Sequence, residues 1–486
     1  MAHRNPPARI EFRAQRQRGQ GPMSQTTFTA APAAPPLGEP TRLFSVPFLI
    51  LNLSAFCSAV SFSTLLPLIS LLVVEQTGGG DVAVGFAISV FAVTAIAARP
   101  TIGILGDQKG RRFLVVSGCL LTALTTYGHV WADTYAVILL MRLLIGAFQG
   151  AFFVGSAAMV SDLAPEHRRG EALSWFSVSI YGGMAIGPGV GEAARAWGDA
   201  STALDGFDVA FVVSGTLMLA ATAIGMLLPR EESLLIPSPA PTPAPSGQAI
   251  SSDSSGTTFG ARQLPSIAQP TVFEVRSADE PPGPASVAAS GDQGATVMSR
   301  LFYRHAVWPG VILAMGIIIF PALQGFLPKL AVEKDLGDYG TVFFLYGMLV
   351  LVLRVLGRKL PDRLGTTKTA TVALFGAALG MVIMGTFVTP FGLYAGTVVL
   401  ALGGSLLYPA LMVAAVDGVP PNERARAVST FTMFFELSAG IGGPILGVSA
   451  WLVGATVGAF YASAACSLIG IVLLWIWQRC TSGEGR

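Results

Sequence analysis

From Phe44 to about residue 478 the chain repeats one pattern: an apolar run long enough to cross a bilayer, then a short connection of Gly, Pro and charge. Twelve such runs are found, at 44–74, 82–105, 113–132, 135–161, 172–192, 208–229, 305–330, 340–356, 369–388, 391–416, 427–450 and 454–478. At about 20 residues per crossing, twelve spans need about 240 residues. The chain can supply them, because 52% of its 486 residues are apolar and only 12% are charged. A span must satisfy its own backbone hydrogen bonds, and no run alternates as a barrel strand does, so helices are expected. Pro67 marks a place where the long first span can kink.

The net charge of +2 is too small to make nucleic-acid binding the theme. The placement of the charges says more. With the N-terminus cytoplasmic, the outer connections hold only Arg195, Lys329 and Lys334, and Arg142 lies within a span. The other Lys and Arg residues gather on the inner side, which predicts a multi-pass protein of the cytoplasmic membrane with both termini inside. Residues 1–42 are polar and Arg-rich and lack the apolar core of a secretory signal, so they read as a disordered cytoplasmic tail. Met23 offers an ordinary start of its own, which leaves open whether residues 1–22 are translated. Residues 230–304, rich in Pro, Ser, Ala and Gly, read as a disordered cytoplasmic linker between six-helix bundles at 43–229 and 305–478, and 479–486 as a short inner tail. Four scattered cysteines and four histidines suggest neither a disulfide framework nor a metal site.

The two halves echo one another. At an offset of 255, Arg99, Leu105, Asp107 and Gly110 fall on Arg354, Leu360, Asp362 and Gly365. At an offset of 256, Pro165, Arg168, Gly187, Pro188 and Gly191 fall on Pro421, Arg424, Gly443, Pro444 and Gly447. Duplicated bundles are the architecture of many secondary transporters, whose substrate sits between the repeats near the midplane. Two pseudo-symmetric six-helix bundles are therefore expected.

The connection after the second span reads Gly103-Ile104-Leu105-Gly106-Asp107-Gln108-Lys109-Gly110-Arg111-Arg112. It resembles the signature loop of the major facilitator superfamily, Gly-x-x-x-Asp-(Arg/Lys)-x-Gly-Arg-(Arg/Lys), with Gln108 in a usually basic place. A weaker copy, Asp362-Arg363-Leu364-Gly365, follows the eighth span. The resemblance covers the whole membrane portion and implies the major facilitator fold. It further implies a conformational latch made of Gly103, Asp107, Gly110, Arg111 and Arg112, with Asp362, Arg363 and Gly365 as its second copy. In that latch Asp107 faces the N-terminal end of helix eleven near Val428 to Thr430, where free N–H groups favour an anion, and Asp362 faces helix five near Leu173. The alternative is a pair of solvated turns that merely obey the charge rule.

Helix four carries Arg142, followed by Gly146 and Gly150. An intramembrane guanidinium needs a partner, an anionic substrate or a watery cavity, unless it snorkels to the interface. The resemblance implies that Arg142 supports proton coupling by tuning a nearby carboxylate. Helix five holds Gly183, Gly187, Pro188 and Gly191, similar to the antiporter signature Gly-x-x-x-Gly-Pro-x-x-Gly-Gly, with Glu192 in place of its last Gly. These four residues read either as a hinge associated with export or as plain close packing.

One carboxylate, Glu436 in helix eleven, lies deep in its span, where burial favours protonation, so it is the proton-site candidate beside Arg142. Candidate cavity groups are Asn52, Ser58, Gln149, Tyr181, Gln324, Tyr346 and Tyr408, each equally able to serve as an interhelical contact. The reading is an all-α integral membrane transporter that exports a small organic compound against proton influx by alternating access. It is expected to act as a monomer in a lipid bilayer, with a small-molecule substrate and protons as partners and with no metal, cofactor or nucleic acid. No Walker-type phosphate loop occurs, so an ion gradient is the expected energy source. Open alternatives are an uptake symporter or facilitator for a sugar or organic acid, a non-transporting sensor, and, disfavoured by the absence of catalytic spacings, a membrane enzyme.

Overall fold

The structure, a computed structural model, describes residues 43–165, 168–201, 205–229, 303–356, 365–420 and 423–483. Six helical segments form the first half. They are α1 (Val46–Thr77), α2 (Asp81–Ser89, Phe91–Ala97 and Arg99–Lys109), α3 (Arg111–Gly128, extended by a tight turn to Trp131), α4 (Tyr135–Leu163), α5 (Arg169–Ala200) and α6 (Gly206–Met226). The second half holds α7 (Arg304–Glu333), α8 (Tyr339–Leu356), α9 (Thr366–Thr386), α10 (Pro390–Val416), α11 (Arg424–Val453) and α12 (Val457–Gly483). The expected tails and central linker lie almost wholly outside the described residues. The last tail is corrected in one respect, because α12 continues past 479 to Gly483.

Local sequence explains where several helices start. Ser45 accepts a bond from Phe48 N at 3.4 Å, Asp205 one from Phe207 N at 2.8 Å and Thr389 one from Gly392 N at 3.1 Å, each satisfying an orphan donor. Among the described residues nine helices are long and apolar enough to cross a bilayer unaided. α2 is a tenth, bent by 51° where Arg99-Pro100 interrupts the backbone ladder. α8 has a shorter apolar stretch, and α5 is the polar, Gly-rich exception whose faces are covered by α1, α6 and α8. α1 stays one helix through Pro67. Other spans expected as plain helices are not regular: α7 contains a wide turn at Ala322–Phe326, just after Pro321, and α10 breaks between Gly404 and Leu407.

Within the first half α1 packs on α5 and α6, and α3 on α4 and α6. Hydroxyls stitch α1 to both neighbours. Ser61 and Ser214 each donate to the other's carbonyl at 2.8 and 2.9 Å, and Ser63 and Thr64 donate to Gly183 O at 3.1 Å and Gly187 O at 2.9 Å. A side chain on Gly187 would run into Val60 O and Ser63 Oγ, so Gly183, Gly187 and Gly191 serve as a tight α1–α5 seam. In the second half α7 packs on α11, α12 and α10, and α9 on α10 and α12. Large apolar residues such as Val372, Phe375, Leu452 and Val472 stay exposed on outer faces, as suits a lipid solvent.

The repeat is visible in the backbone. Gly110 and Gly365, matched at the offset of 255, have φ/ψ of 88°/162° and 80°/152°, and each stands immediately before a helix. Only glycine adopts that conformation without strain. The halves meet along α2 with α11 and along α5 with α8. At the end away from the central linker this contact is tight. Gly85 and Gly443 touch backbone to backbone, and Ser89 Oγ donates to Ala439 O at 2.5 Å and accepts from Gly443 N at 3.0 Å. Lys329 of α7 pairs there with Asp81 of α2, and with Glu333 of its own helix at 3.3 Å. On α8, Gly340 N donates to Glu192 Oε2 at 2.7 Å. Asp338, in the loop before α8, bonds to Glu192 and Thr341, which holds its carboxyl below the usual carboxylate range.

The linker end differs. The Arg99–Lys109 piece of α2 packs on α3 and α4 of its own half, and Asp107 and Leu173 are exposed. Among the described residues the halves are thus packed together at the end away from the linker, while at the linker end the Asp107 turn is not docked on α11.

Asp81→Asn removes one charge from the closed end while leaving the helix packing in place. It is expected to raise labelling of a Ser89→Cys reporter by a water-soluble maleimide by about fivefold or more, since Lys329 is buried and is left with Glu333 as its remaining partner. Unchanged labelling would show that the Lys329 pair does not hold this end shut.

Candidate functional site

Between the halves lie two connected spaces of about 450 and 390 Å³. Tyr181 of α5, and Phe320 and Tyr346 of α7 and α8, line both. The first is completed by Ser63 and Pro67 of α1, Pro188 of α5, and Gln324, which the wide turn of α7 carries to the wall. The second, nearer the linker end, is lined by Arg354 of α8, Ser405 at the break in α10, Tyr408 and Phe435. Four of the candidate cavity residues, Tyr181, Gln324, Tyr346 and Tyr408, therefore face this space. Three others are not among its lining residues. Asn52 donates to Phe48 O at 2.8 Å and accepts from Ser179 Oγ at 3.0 Å, while buried Gln149 donates to buried Ser58 Oγ at 3.2 Å. All three serve contacts within the first half.

Glu436 sits beside Phe435 but turns to the other half, where its Oε1 pairs with Arg99 Nη2 of α2. Both side chains are about a quarter exposed, at 29% and 26%. Glu436 Oε2 is buried and, among the described residues, accepts no hydrogen bond.

Arg142 was expected to tune the Glu436 site; in this structure its hydrogen bonds go to α2 instead. Arg142 is fully buried, donates to Ala87 O at 3.1 Å and Ile88 O at 3.0 Å, and lies 4.9 Å from the Phe91 ring centre. Its bonds therefore go to the backbone of α2, and snorkelling is excluded. The reason is register: the Asp81–Ser89 piece of α2 lies between Arg142 and α11.

Arg99 and Arg354 were legible only as repeat matches, yet both reach across to the opposite half. Arg354 Nη2 donates to Tyr181 Oη at 2.8 Å, and its guanidinium stands 4.1 Å from that ring centre. The duplicated arginine thus reaches across the interface twice, once to an acid and once to a phenol. An arginine repeated at one offset, at the bend of α2 and in the last turn of α8, was the signal that could have found them.

The expected latch is not made in this state. Asp107 is exposed and, among the described residues, forms no ion pair, because α2 bends away from α11 at the linker end. Arg111 pairs with Asp162 of α4, and Arg112 donates to Met226 O at 2.5 Å, both within the first half. Gly103 is exposed, with open space where a side chain would stand. Asp362 and Arg363 lie outside the described residues.

The profile of the Major Facilitator Superfamily matches residues 51–390 and 334–484, nearly all of the membrane portion. The chain belongs to the major facilitator superfamily. It is similar to an uncharacterized MFS-type transporter of Salmonella typhimurium, 24% identical over 90% of this chain and 97% of that one. The fold matches the nucleoside transporter NupG at a TM-score of 0.62, with 11% identity over 88% and 99% of the two chains. It matches the D-xylose-proton symporter at 0.63, with 15% identity over 88% and 96%. At such identities the likeness is one of fold. A membrane transporter of this superfamily, with its spaces between two six-helix halves, is the common ground of sequence and structure.

Proposed function

We propose that this major facilitator protein is a proton-coupled exporter of a small organic compound, with the linker end cytoplasmic. The observation that carries the reading is the Glu436–Arg99 pair, which joins the two halves beside the cavity and leaves one carboxylate oxygen unpartnered. Ionised Glu436 favours the state closed at the outer end, because its pair ties α2 to α11. Protonation removes the charge and with it most of the pair, so the balance shifts toward the other state. Direction then comes from the proton gradient: a proton taken up from outside is released at the linker end, and the unequal stabilisation of the two states by Glu436 couples that transfer to the conformational cycle. The direction of solute movement rests on the resemblance of the Gly183 to Gly191 segment to the antiporter signature. In the other state the Asp107 loop would dock on α11, as the family resemblance implies.

The test begins with compounds whose excretion by cells depends on the protein. Each is presented to proteoliposomes that contain a trapped pH indicator. A compound gradient is expected to drive protons the opposite way, at rates well above those of empty vesicles. Protons and compound moving together would make the protein a symporter. Folded protein that moves neither would end the transport reading altogether.

A further inference from the structure

We propose that the linker-side lobe of the cavity binds an organic monoanion, a carboxylate carried on an aromatic body. The inference deepens the transport reading and rests on it for the meaning of the cavity. Its ground is a mismatch of hydrogen-bond types in that lobe. Arg354 Nη2 has the Tyr181 hydroxyl, but Arg354 Nε is buried and, among the described residues, has no partner. Ser405 Oγ, on the same wall, is likewise buried and unpartnered. Both are donors, and Arg354 has no acceptor function at all. Among the described lining residues there is no Asp or Glu, and the nearby Glu436 spends its charge on Arg99.

The repeat supplies an internal comparison. At position 99 the duplicated arginine is compensated by a carboxylate from the opposite half, whereas at position 354 it meets only a neutral phenol. The Arg354 guanidinium keeps its charge in the last turn of α8, and among the described residues its cross-half partner is a phenol and not a carboxylate, so an anion entering the cavity would meet an uncompensated charge. A carboxylate can accept from Arg354 Nε and Ser405 Oγ together, satisfying two orphan donors at once. Around them Tyr181, Tyr346, Tyr408, Phe320 and Phe435 present ring surface rather than further charge. A planar apolar body matches that surface, and a cationic compound would face repulsion with no counter-ion.

The experiment uses purified full-length protein in detergent, with no gradient, and three probes of nearly equal shape: naphthoate, naphthamide and naphthylmethylammonium. Binding is read by tryptophan fluorescence and by thermal protection. Naphthoate is expected to bind, and the amide and ammonium about tenfold or more weakly, the worth of a charge-assisted bond. Arg354→Gln should weaken naphthoate by a similar factor in protein that still folds, its melting temperature lowered only by the lost Tyr181 contact. Arg354→Lys should retain much of the preference for carboxylate over amide, and Ser405→Ala should cost about three- to tenfold. If the ammonium or amide binds as well as the carboxylate, or if naphthoate gives no protection, the proposal is overturned. Naphthoate binding that survives Arg354→Gln also overturns it. Because the readout is binding alone, failure here leaves proton exchange standing, and loss of proton exchange leaves this assignment standing.

Discussion

Glu436→Gln is expected to reduce solute movement driven by a pH gradient to the level of empty vesicles, while exchange of labelled for unlabelled solute continues. Glutamine keeps the size of the side chain and one oxygen that can accept from Arg99, but it never exchanges a proton. The substitution also leaves the Arg99 guanidinium without a counter-charge. Because both partners are about a quarter exposed, the loss lies between the worth of a surface pair and that of a buried one, about 1 to 3 kcal/mol. That changes the ratio of the two states by about five- to more than a hundredfold. Exchange should slow but persist, since it needs no net proton movement. The double change Arg99→Glu with Glu436→Arg should restore the bridge and the closed outer end. Proton-driven transport as fast in Glu436→Gln as in the unaltered protein would place the titrating group elsewhere.

Gly443→Leu and Gly187→Leu should fail in different ways, although the two glycines are repeat mates. A side chain at Gly443 would strike the Gly85 carbonyl and Ser89 Oγ, both across the seam between halves. The protein is expected to fold and insert normally but to remain open at the outer end. Transport should fall by about a hundredfold or more, since steric overlap of backbone with side chain costs several kcal/mol. A Ser89→Cys reporter, buried when that end is shut, should then label rapidly from outside the cell. At Gly187 the added side chain would meet Val60 O and Ser63 Oγ within one bundle, where no state of the cycle offers room. Folded protein itself should be lost, as seen in membrane yield and size-exclusion profiles. Should Gly443→Leu instead abolish folding, the α2–α11 contact is a fixed core and not a moving seam.

The sequence legibly encoded what depends on period and composition. Helix type followed from apolar run length, because lipid leaves the backbone no other way to satisfy its bonds, although among the described residues nine helices, or ten with bent α2, are long and apolar enough to cross unaided. The duplication followed from matched punctuation, and the shared backbone geometry of Gly110 and Gly365 agrees with it. What could not be read was which side of a helix meets which neighbour. Gly187 and Gly443 carry the same local letters, yet one packs on α1 and the other on α2, since the helices differ in rotation and partner. The same blindness assigned Glu436 to Arg142 rather than to Arg99, and counted Asn52 and Gln149 as cavity groups. Irregular backbone was equally hidden: the wide turn that brings Gln324 to the wall lies in a run that reads as plain helix. The substitution of Glu192 for the last glycine of the helix-five signature looked like a simple departure, but its carboxylate caps Gly340 across the α5–α8 seam.

The two bridging arginines began as copies and now answer to different chemistry, one to an acid and one to a hydroxyl on a ring. If Glu436 is the coupling acid and Arg354 the cargo contact, as proposed, the two roles sit on different copies of one repeated residue, and the surroundings of Arg354 can diverge toward new compounds while the Arg99 pair is kept.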